Sequence, residues 1–399
     1  MTATIRNSIA DLKDEIAGMR RAMHENPQTA YEETFASDLV AEKLSEWGIE
    51  HERGIAVTGI VATIEGEQNT SGKAIGLRAD MDALDIEEAN NKPHKSKNPG
   101  KMHACGHDGH TATLLGAAKY LSENRNFNGK VHLIFQPAEE GKKGAHMMIE
   151  EGLFKRFPCN SVYGLHNWPQ MPKGTVATRT GPIMASADII RMTIKGKGGH
   201  AAMPHRTVDP IVMGAQIVTA LQTLVSRYRH PAEPVVLSIT SFQAGTGAHN
   251  IIPDEATMVG TLRTYNEELR QDLKNKIEET ARGIAKAMGG DIDYDYEQVL
   301  DPTINTPKET DFCVGIAREI FGEHSVNDDV TPSMGGEDFG RMLFDVPGCY
   351  IWMGQGEDDP ASNHNNGLHT PRYDFNDEII PLGVEYWAKI VENALPLEK

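Results

Sequence analysis

Apolar residues recur at helical spacing from the start of the chain: Ile5, Ile9, Leu12, Ile16, Met19 and Met23 fall on one face of a helix with 3.6 residues per turn. The pattern predicts two opening helices, the second from about Thr34 to Trp47 and stopped by Gly48. Short apolar runs near Val57–Ile64 and Ala74–Leu77 then read as strands. A helix from about Gly109 to Glu123 leads into the strand Val131–Phe135, and a helix over Gly144–Phe154 into the strand Ser161–Leu165. Strands alternating with helices predict an α/β sheet covered on both faces.

Around residue 185 the texture changes. Ile189–Ile194 reads as a strand and Pro210–Tyr228 as a long helix. Val235–Phe242 and Ala256–Leu262 read as strands, and Glu267–Met288 as a second long helix. A β-α-β-β-α-β order of this length is the split pattern of a ferredoxin-like sandwich. After Asp301 the α/β texture returns and ends in a helix from about Asp377 to Ala394. The expectation is one mixed-sheet α/β domain, 1–184 and 298–399, into which an α+β domain, 185–297, is inserted.

Length agrees, since 399 residues exceed one ordinary core. Charge narrows the partners: 39 Lys and Arg against 57 Asp and Glu give a net −18, and no dense basic stripe exists. Nucleic acid and anionic membranes are therefore not expected partners. The first residues lack the apolar core of a signal peptide and no apolar run approaches membrane-spanning length, so a cytoplasmic location is expected. Cys105, Cys159, Cys313 and Cys349 are scattered, as reduced thiols are, so a special cysteine is to be sought as a ligand or nucleophile.

The strongest chemical signal is MHACGHDGH, Met102–His110. It packs Cys105, His107 and Asp108 just ahead of a helix, with His103 and His110 at its edges. Thiolate and imidazole are preferred ligands of borderline-soft cations. A structural zinc knuckle would need a second close cysteine pair, which the chain lacks. In FQPAEEG, Glu139 and Glu140 follow a strand that Pro137 must end. Adjacent carboxylates seldom face one point, which suits a division of labour: one binds metal while the other takes a proton from water. LRADMDAL places Asp80 and Asp82 beyond the strand Ala74–Leu77, and YGLHNW places His166 at the end of its strand. Ligands gather at such carboxyl ends in α/β sheets. A late polar loop adds His364 and His369; His369 is preferred, though spacing hardly separates the two.

Together these motifs resemble the M20 family of metallopeptidases, in particular its amidohydrolase branch of hippurate hydrolases, N-acyl-amino-acid amidohydrolases and plant auxin-conjugate hydrolases. The likeness runs through LRADMDAL, MHACGHDGH, FQPAEEG, GLH, GKGGHAAMPH, HNIIPDEA, GTLRT, MGGEDF and GLHTPRYDF, nearly the whole chain. It implies a catalytic domain holding two divalent cations, zinc or manganese foremost with cobalt and nickel open. It also implies an inserted lid that mediates dimerisation, a tetramer not being excluded. Position by position, it makes Cys105 the bridging ligand, with His107, Glu140, His166 and His369 completing the two metal spheres. Glu139 matches the general base and Asp82 the carboxylate supporting the first metal. Asp80 stands where other branches carry a ligand histidine. His200 matches a donor to the oxyanion in the neighbouring protomer's site, and Asn250 and Arg263 match groups that hold the substrate's carboxylate. One departure is visible: relatives often carry proline where this chain has Asp85.

The implied reaction is hydrolysis of the amide of a small N-acyl amino acid, with a dipeptidase or carboxypeptidase as the alternative. A metal-dependent binding protein or inactive relative is the reading from another class, and the intact Glu139 argues against it. Three other readings fail on chemistry. Gly196–Gly199 looks like a phosphate loop but lacks its Gly-Lys-Ser/Thr ending. Met147 and Met148 read as core filler. Cys105 is a poor nucleophile candidate, because a partner two residues away rarely offers the needed geometry and metal would weaken the thiolate.

Overall fold

The central strands of the larger sheet are buried on both faces: all of Ala74–Asp80, and all of Lys130–Gln136 after its first residue. Near-continuous apolar strands of this kind require helices on both sides. The computed structural model describes residues 3–398 and divides them into two units. The first comprises the residues up to Ile183, Ile304–Thr331 and those from Asp338 onward; the second comprises Met184–Thr303 and Pro332–Glu337.

In the first unit the sheet has eight strands, ordered Glu50–Ile55, Gly59–Glu65, Lys130–Gln136, Ala74–Asp80, Ser161–Pro172, Gly348–Gly356, Val176–Ala177 and Val326–Asn327. Ala74–Asp80 runs parallel to both its neighbours, and Gly348–Gly356 runs parallel to Ser161–Pro172. The edge made by Glu50–Ile55 and Gly59–Glu65 is antiparallel, so the sheet is mixed, as expected. Against it lies the helix His107–Glu123, buried except at Lys119, Ser122 and Glu123. A helix apolar or small nearly all round belongs inside a protein. At Gly116 a β-carbon would come within 2.6 Å of Val384, so glycine sets the approach of the last helix, Ile380–Ala394. That helix buries Tyr386 and Trp387, each aromatic removing about 150–250 Å² from water.

Two elements differ from the sequence reading, and one depends on the other. Gly348–Gly356 is a fully buried strand that the reading did not anticipate. Its pairing carries the neighbouring strand on from Leu165 to Pro172. His166 is therefore inside its strand, not at its end, and side-chain alternation rather than strand termination aims it. The polar edge strand Glu50–Ile55 was likewise not anticipated.

The second unit follows the expected β-α-β-β-α-β order. Its antiparallel sheet is ordered Val235–Ala244, Glu255–Thr264, Ala187–Lys195, Asp291–Leu300. Burial alternates along Glu255–Thr264, so one face packs and the other meets solvent. The helices Pro210–Thr223 and Glu267–Ala287 supply Met213, Ile217, Leu221, Leu273 and Ile277 to the core. Asp209 and Asn266 cap their first turns by accepting from backbone amides. The first of these helices ends at Thr223 and passes into a π-helical turn, Leu224–Tyr228. Beneath them Asp188 accepts from Arg270 Nε at 2.9 Å and from the Tyr296 hydroxyl at 2.5 Å. Among the described residues no helix is long and apolar enough to cross a membrane.

Candidate metal centre

A tight turn brings the first donors together. Gly106, between Cys105 and His107, has φ +95° and precedes the helix His107–Glu123. A β-carbon there would meet Asn167 Oδ1 at 2.3 Å and the Tyr373 hydroxyl at 2.4 Å. Only glycine fits both the backbone and the space, which accounts for the Cys-Gly-His spacing.

Asp82 organises the next layer. Its Oδ1 accepts from His107 Nδ1 at 3.2 Å and from the Glu139 amide at 3.0 Å, and its Oδ2 accepts from the Glu140 amide at 2.9 Å. One carboxylate thus orients an imidazole and both members of the glutamate pair. With Nδ1 committed, His107 presents Nε2, the carboxylate–histidine arrangement typical of metal sites. His166 is oriented in the same way: Nδ1 donates to the Asn167 carbonyl at 2.6 Å, and Nε2 faces Cys105 Sγ at 3.4 Å. His369, held at φ +60° with its amide on the Ala104 carbonyl, brings Nε2 to 3.1 Å from Glu140 Oε1.

The donors fall into overlapping groups whose ligand atoms lie within 4.8 Å of one another: Cys105, His107 and His166; Cys105, Glu140 and His369; and His107, Glu139 and Glu140. Cys105 belongs to two of them. His107 Nε2 is buried without a hydrogen-bond partner. An unsatisfied buried polar atom is costly and rare, and this one lies among a thiol, carboxylates and imidazole lone pairs. The donor set fits borderline-soft divalent cations. Asp80 is differently engaged: it accepts from Arg78 at 2.7 Å and from His110 at 2.6 Å.

Electrostatics point the same way. Burial, then Glu140, Glu139 and Asp80, pushes the Cys105 thiol well above its usual range, the opposite of an activated nucleophile. Burial opposes charge on His107, yet Asp80 and Asp82 raise it to about 10. Burial and the neighbouring His110 hold His166 well below the usual imidazole range, leaving it neutral with a free lone pair. The acids around His107 thus draw a positive charge into this site, a place a cation can take.

Peptidase family M20/M25/M40 matches residues 76–393 of the chain. The chain belongs to this family. Its relatives include hippurate hydrolase of Campylobacter jejuni, 41% identical over 96% of this chain and 97% of that protein. Thermostable carboxypeptidase 2 of Saccharolobus solfataricus is 39% identical, with 95% of each chain covered. Among solved structures, a dinuclear metal-binding M20 peptidase from Bacillus subtilis superposes with TM-score 0.82 at 34% identity, over 97% of this chain and 99% of that one.

The M20 chain brings seven of the singled-out residues together in its first unit: Asp82, Cys105, His107, Glu139, Glu140, His166 and His369. His364 faces the Asp374 carbonyl instead, at 3.2 Å. The other three lie in the second unit. His200 is exposed on a short two-stranded antiparallel ribbon, paired with Ile251, and the next amide, of Ala201, donates to the Asn250 carbonyl at 3.0 Å. Arg263 reaches only the Met334 carbonyl, at 3.4 Å. No carboxylate pairs with it among the described residues, and burial lowers its pKa. Sequence reasoning gave no role to Arg78, His110, Asn167 or Asp338. These residues link segments 57 to 260 positions apart in sequence, and local spacing holds no trace of such links.

Proposed function

We propose that this M20 protein is a metal-dependent amidohydrolase that splits an N-acyl amino acid into a carboxylic acid and a free amino acid. The observation that carries the reading is the convergence of Cys105, His107, Glu140, His166 and His369, with His107 Nε2 buried and unpartnered, beside a second carboxylate, Glu139. Two divalent cations are the cofactor this donor set fits. Zinc suits the thiolate and imidazoles best, and manganese suits the carboxylate. When bound, such ions supply Lewis acidity, making water more acidic and drawing charge from the scissile carbonyl.

The chain's own residues do the rest. Glu139 takes a proton from the attacking water and returns it to the departing amine. Asp82 keeps Glu139, Glu140 and His107 in register. Arg263, lacking an acidic partner, binds the substrate's carboxylate with Asn250. An acidic protein can therefore still take an anionic substrate, because the anion meets a locally unpaired guanidinium. His200 donates to the carbonyl oxygen as it turns negative, supplied across a homodimer in the cytoplasm.

A second reading, a carboxypeptidase, is favoured by the 39% identity to a relative of that name. Both substrates end in a free carboxylate and differ only on the acyl side. The deciding experiment strips the protein with chelator, reloads it with zinc, manganese, cobalt or nickel in turn, and compares N-benzoylglycine and N-acetyl amino acids with dipeptides and longer peptides. Faster release from acylated amino acids supports the amidohydrolase; faster release from peptides supports the carboxypeptidase. Turnover that survives complete metal removal refutes both.

A further inference from the structure

The turn that carries Glu139 and Glu140 is held in an unfavourable backbone state. Ala138 has φ +56°, in the left-handed region that non-glycine residues seldom occupy. Three successive amides leave this turn, and each ends on a buried carboxylate. Those of Glu139 and Glu140 go to Asp82. That of Ala138 goes to Glu33 Oε1 at 2.9 Å. Glu33 is wholly buried, and its other oxygen accepts from the Thr58 hydroxyl at 2.7 Å. Two residues earlier, the Tyr31 hydroxyl donates to the Lys142 carbonyl at 2.8 Å, so one segment grips the loop at both ends.

The ordinary explanation for a glutamate at this point is helix capping, since Glu33 precedes the helix Thr34–Glu46. Its side chain makes no cap hydrogen bond. Among the described residues no cation pairs with the buried Glu33 carboxyl, a costly arrangement, and burial raises its pKa. The carboxyl accepts from Thr58 and from the strained turn, and the backbone at Glu33 and Tyr31 also lies against it.

We infer that Glu33 is a positioning residue for hydrolysis: by holding Ala138 in the left-handed state it sets the direction of Glu139. Without it, Ala138 would relax toward negative φ and swing the glutamates away from the donors. The inference rests on the reading of Glu139 as the base. It also predicts that glycine at 138, which adopts positive φ freely, makes the anchor less necessary.

The test uses Glu33→Ala, Ala138→Gly, their double variant and Glu33→Gln, each assayed with N-benzoylglycine for kcat and KM and by thermal melting. Glu33→Ala is expected to lower kcat by about 10- to 100-fold, as a misplacement near 1 Å can, with KM changed by less than roughly threefold. Adding Ala138→Gly restores most of the lost kcat without restoring the melting temperature. Glu33→Gln, which keeps an oxygen for the Ala138 amide, retains most of kcat. If the alanine variant does not fold, Glu33→Met fills the space without an acceptor and carries the same comparison. A lower melting temperature with kcat unchanged overturns the inference, as does a kcat loss that glycine at 138 does not repair. Glu139→Gln in the same assay keeps the two ideas apart: if it turns over normally, the base assignment fails, whereas an inactive Glu139→Gln beside a fully active Glu33→Ala removes Glu33 alone.

Discussion

The two units treat their polar groups in opposite ways. In the first, Asp82, His107, Glu139 and His166 are buried and fixed by neighbours at 2.6–3.2 Å, yet Nε2 of His107 is left unsatisfied. In the second, the buried charges satisfy one another, with Asp188 against Arg270, while His200 and Asn250 are exposed and no carboxylate among the described residues pairs with Arg263. The difference teaches where each kind of work is done. Cation binding needs donors whose positions are set beforehand, because a loose ligand set loses affinity and geometry. Recognition of an anion needs a cation free to be claimed, and a small sheet with one solvated face can present it.

The largest test of this contrast falls on Glu139, which the first unit fixes in place and which is assigned the proton. Glu139→Gln preserves shape and the amide contact to Asp82. It should cut kcat by about two to four orders of magnitude while metal content and melting temperature stay at wild-type values. A variant that instead loses its metal would make Glu139 a ligand, and the division of labour within the pair would have to be reversed. The next largest effect belongs to the second unit and to stability. Asp188→Ala leaves the buried Arg270 with only Glu267, Asp301 and a carbonyl and strips Tyr296 of its acceptor. Breaking a buried pair of this kind costs about 3–5 kcal/mol, read by denaturant unfolding. Metal content should be unchanged, since the donors lie in the other unit.

How far this contrast could be read from the sequence depended on distance along the chain. MHACGHDGH was legible because its residues act within one turn and one helix start, and the β-α-β-β-α-β unit was legible because periodicity is local. Gly348–Gly356 was not. Its sequence, GCYIWMGQG, is glycine-bounded and buried on both faces, so it shows no alternation, and without it His166 was read as a strand end. Glu50–Ile55 failed for the opposite reason: EHERGI is polar and mostly exposed, and only pairing with Gly59–Glu65 makes it a strand. Glu33 reaches Ala138 across 105 positions, with no spacing to announce it. Spacing hardly separates His369 from His364, whereas geometry does: His369 faces Glu140 and His364 faces the Asp374 carbonyl.

A smaller effect should separate binding from chemistry. Arg263→Ala removes the unpaired guanidinium and should raise KM for N-acyl amino acids by about 10- to 100-fold, the worth of a hydrogen bond to a charged group. The corresponding N-acyl amino-acid amides, which lack the carboxylate, should be affected far less. Equal loss on both substrate series would take Arg263 out of the carboxylate site and leave its missing acid partner unexplained.

The smallest effect concerns pH, and it again sets the units apart. His132, in the strand Lys130–Gln136 of the first unit, is buried, with Nδ1 2.9 Å from the Thr63 hydroxyl. Burial, with Lys130 adding to it, lowers its pKa to about 4. The unfolded chain binds a proton near pH 6.5, so between about pH 6.5 and 4 it holds more protons than the folded one. Stability contributed by neutral His132 is therefore complete above that window and falls as acid is added, by at most about 1.4 kcal/mol per pH unit. Melting curves of wild type and His132→Gln across pH 4–7 isolate the term: the wild type should lose stability more steeply toward acid than the variant. Parallel curves would mean that the sheet opens enough for water to reach the imidazole, and the first unit would then be less rigidly built than its metal site requires.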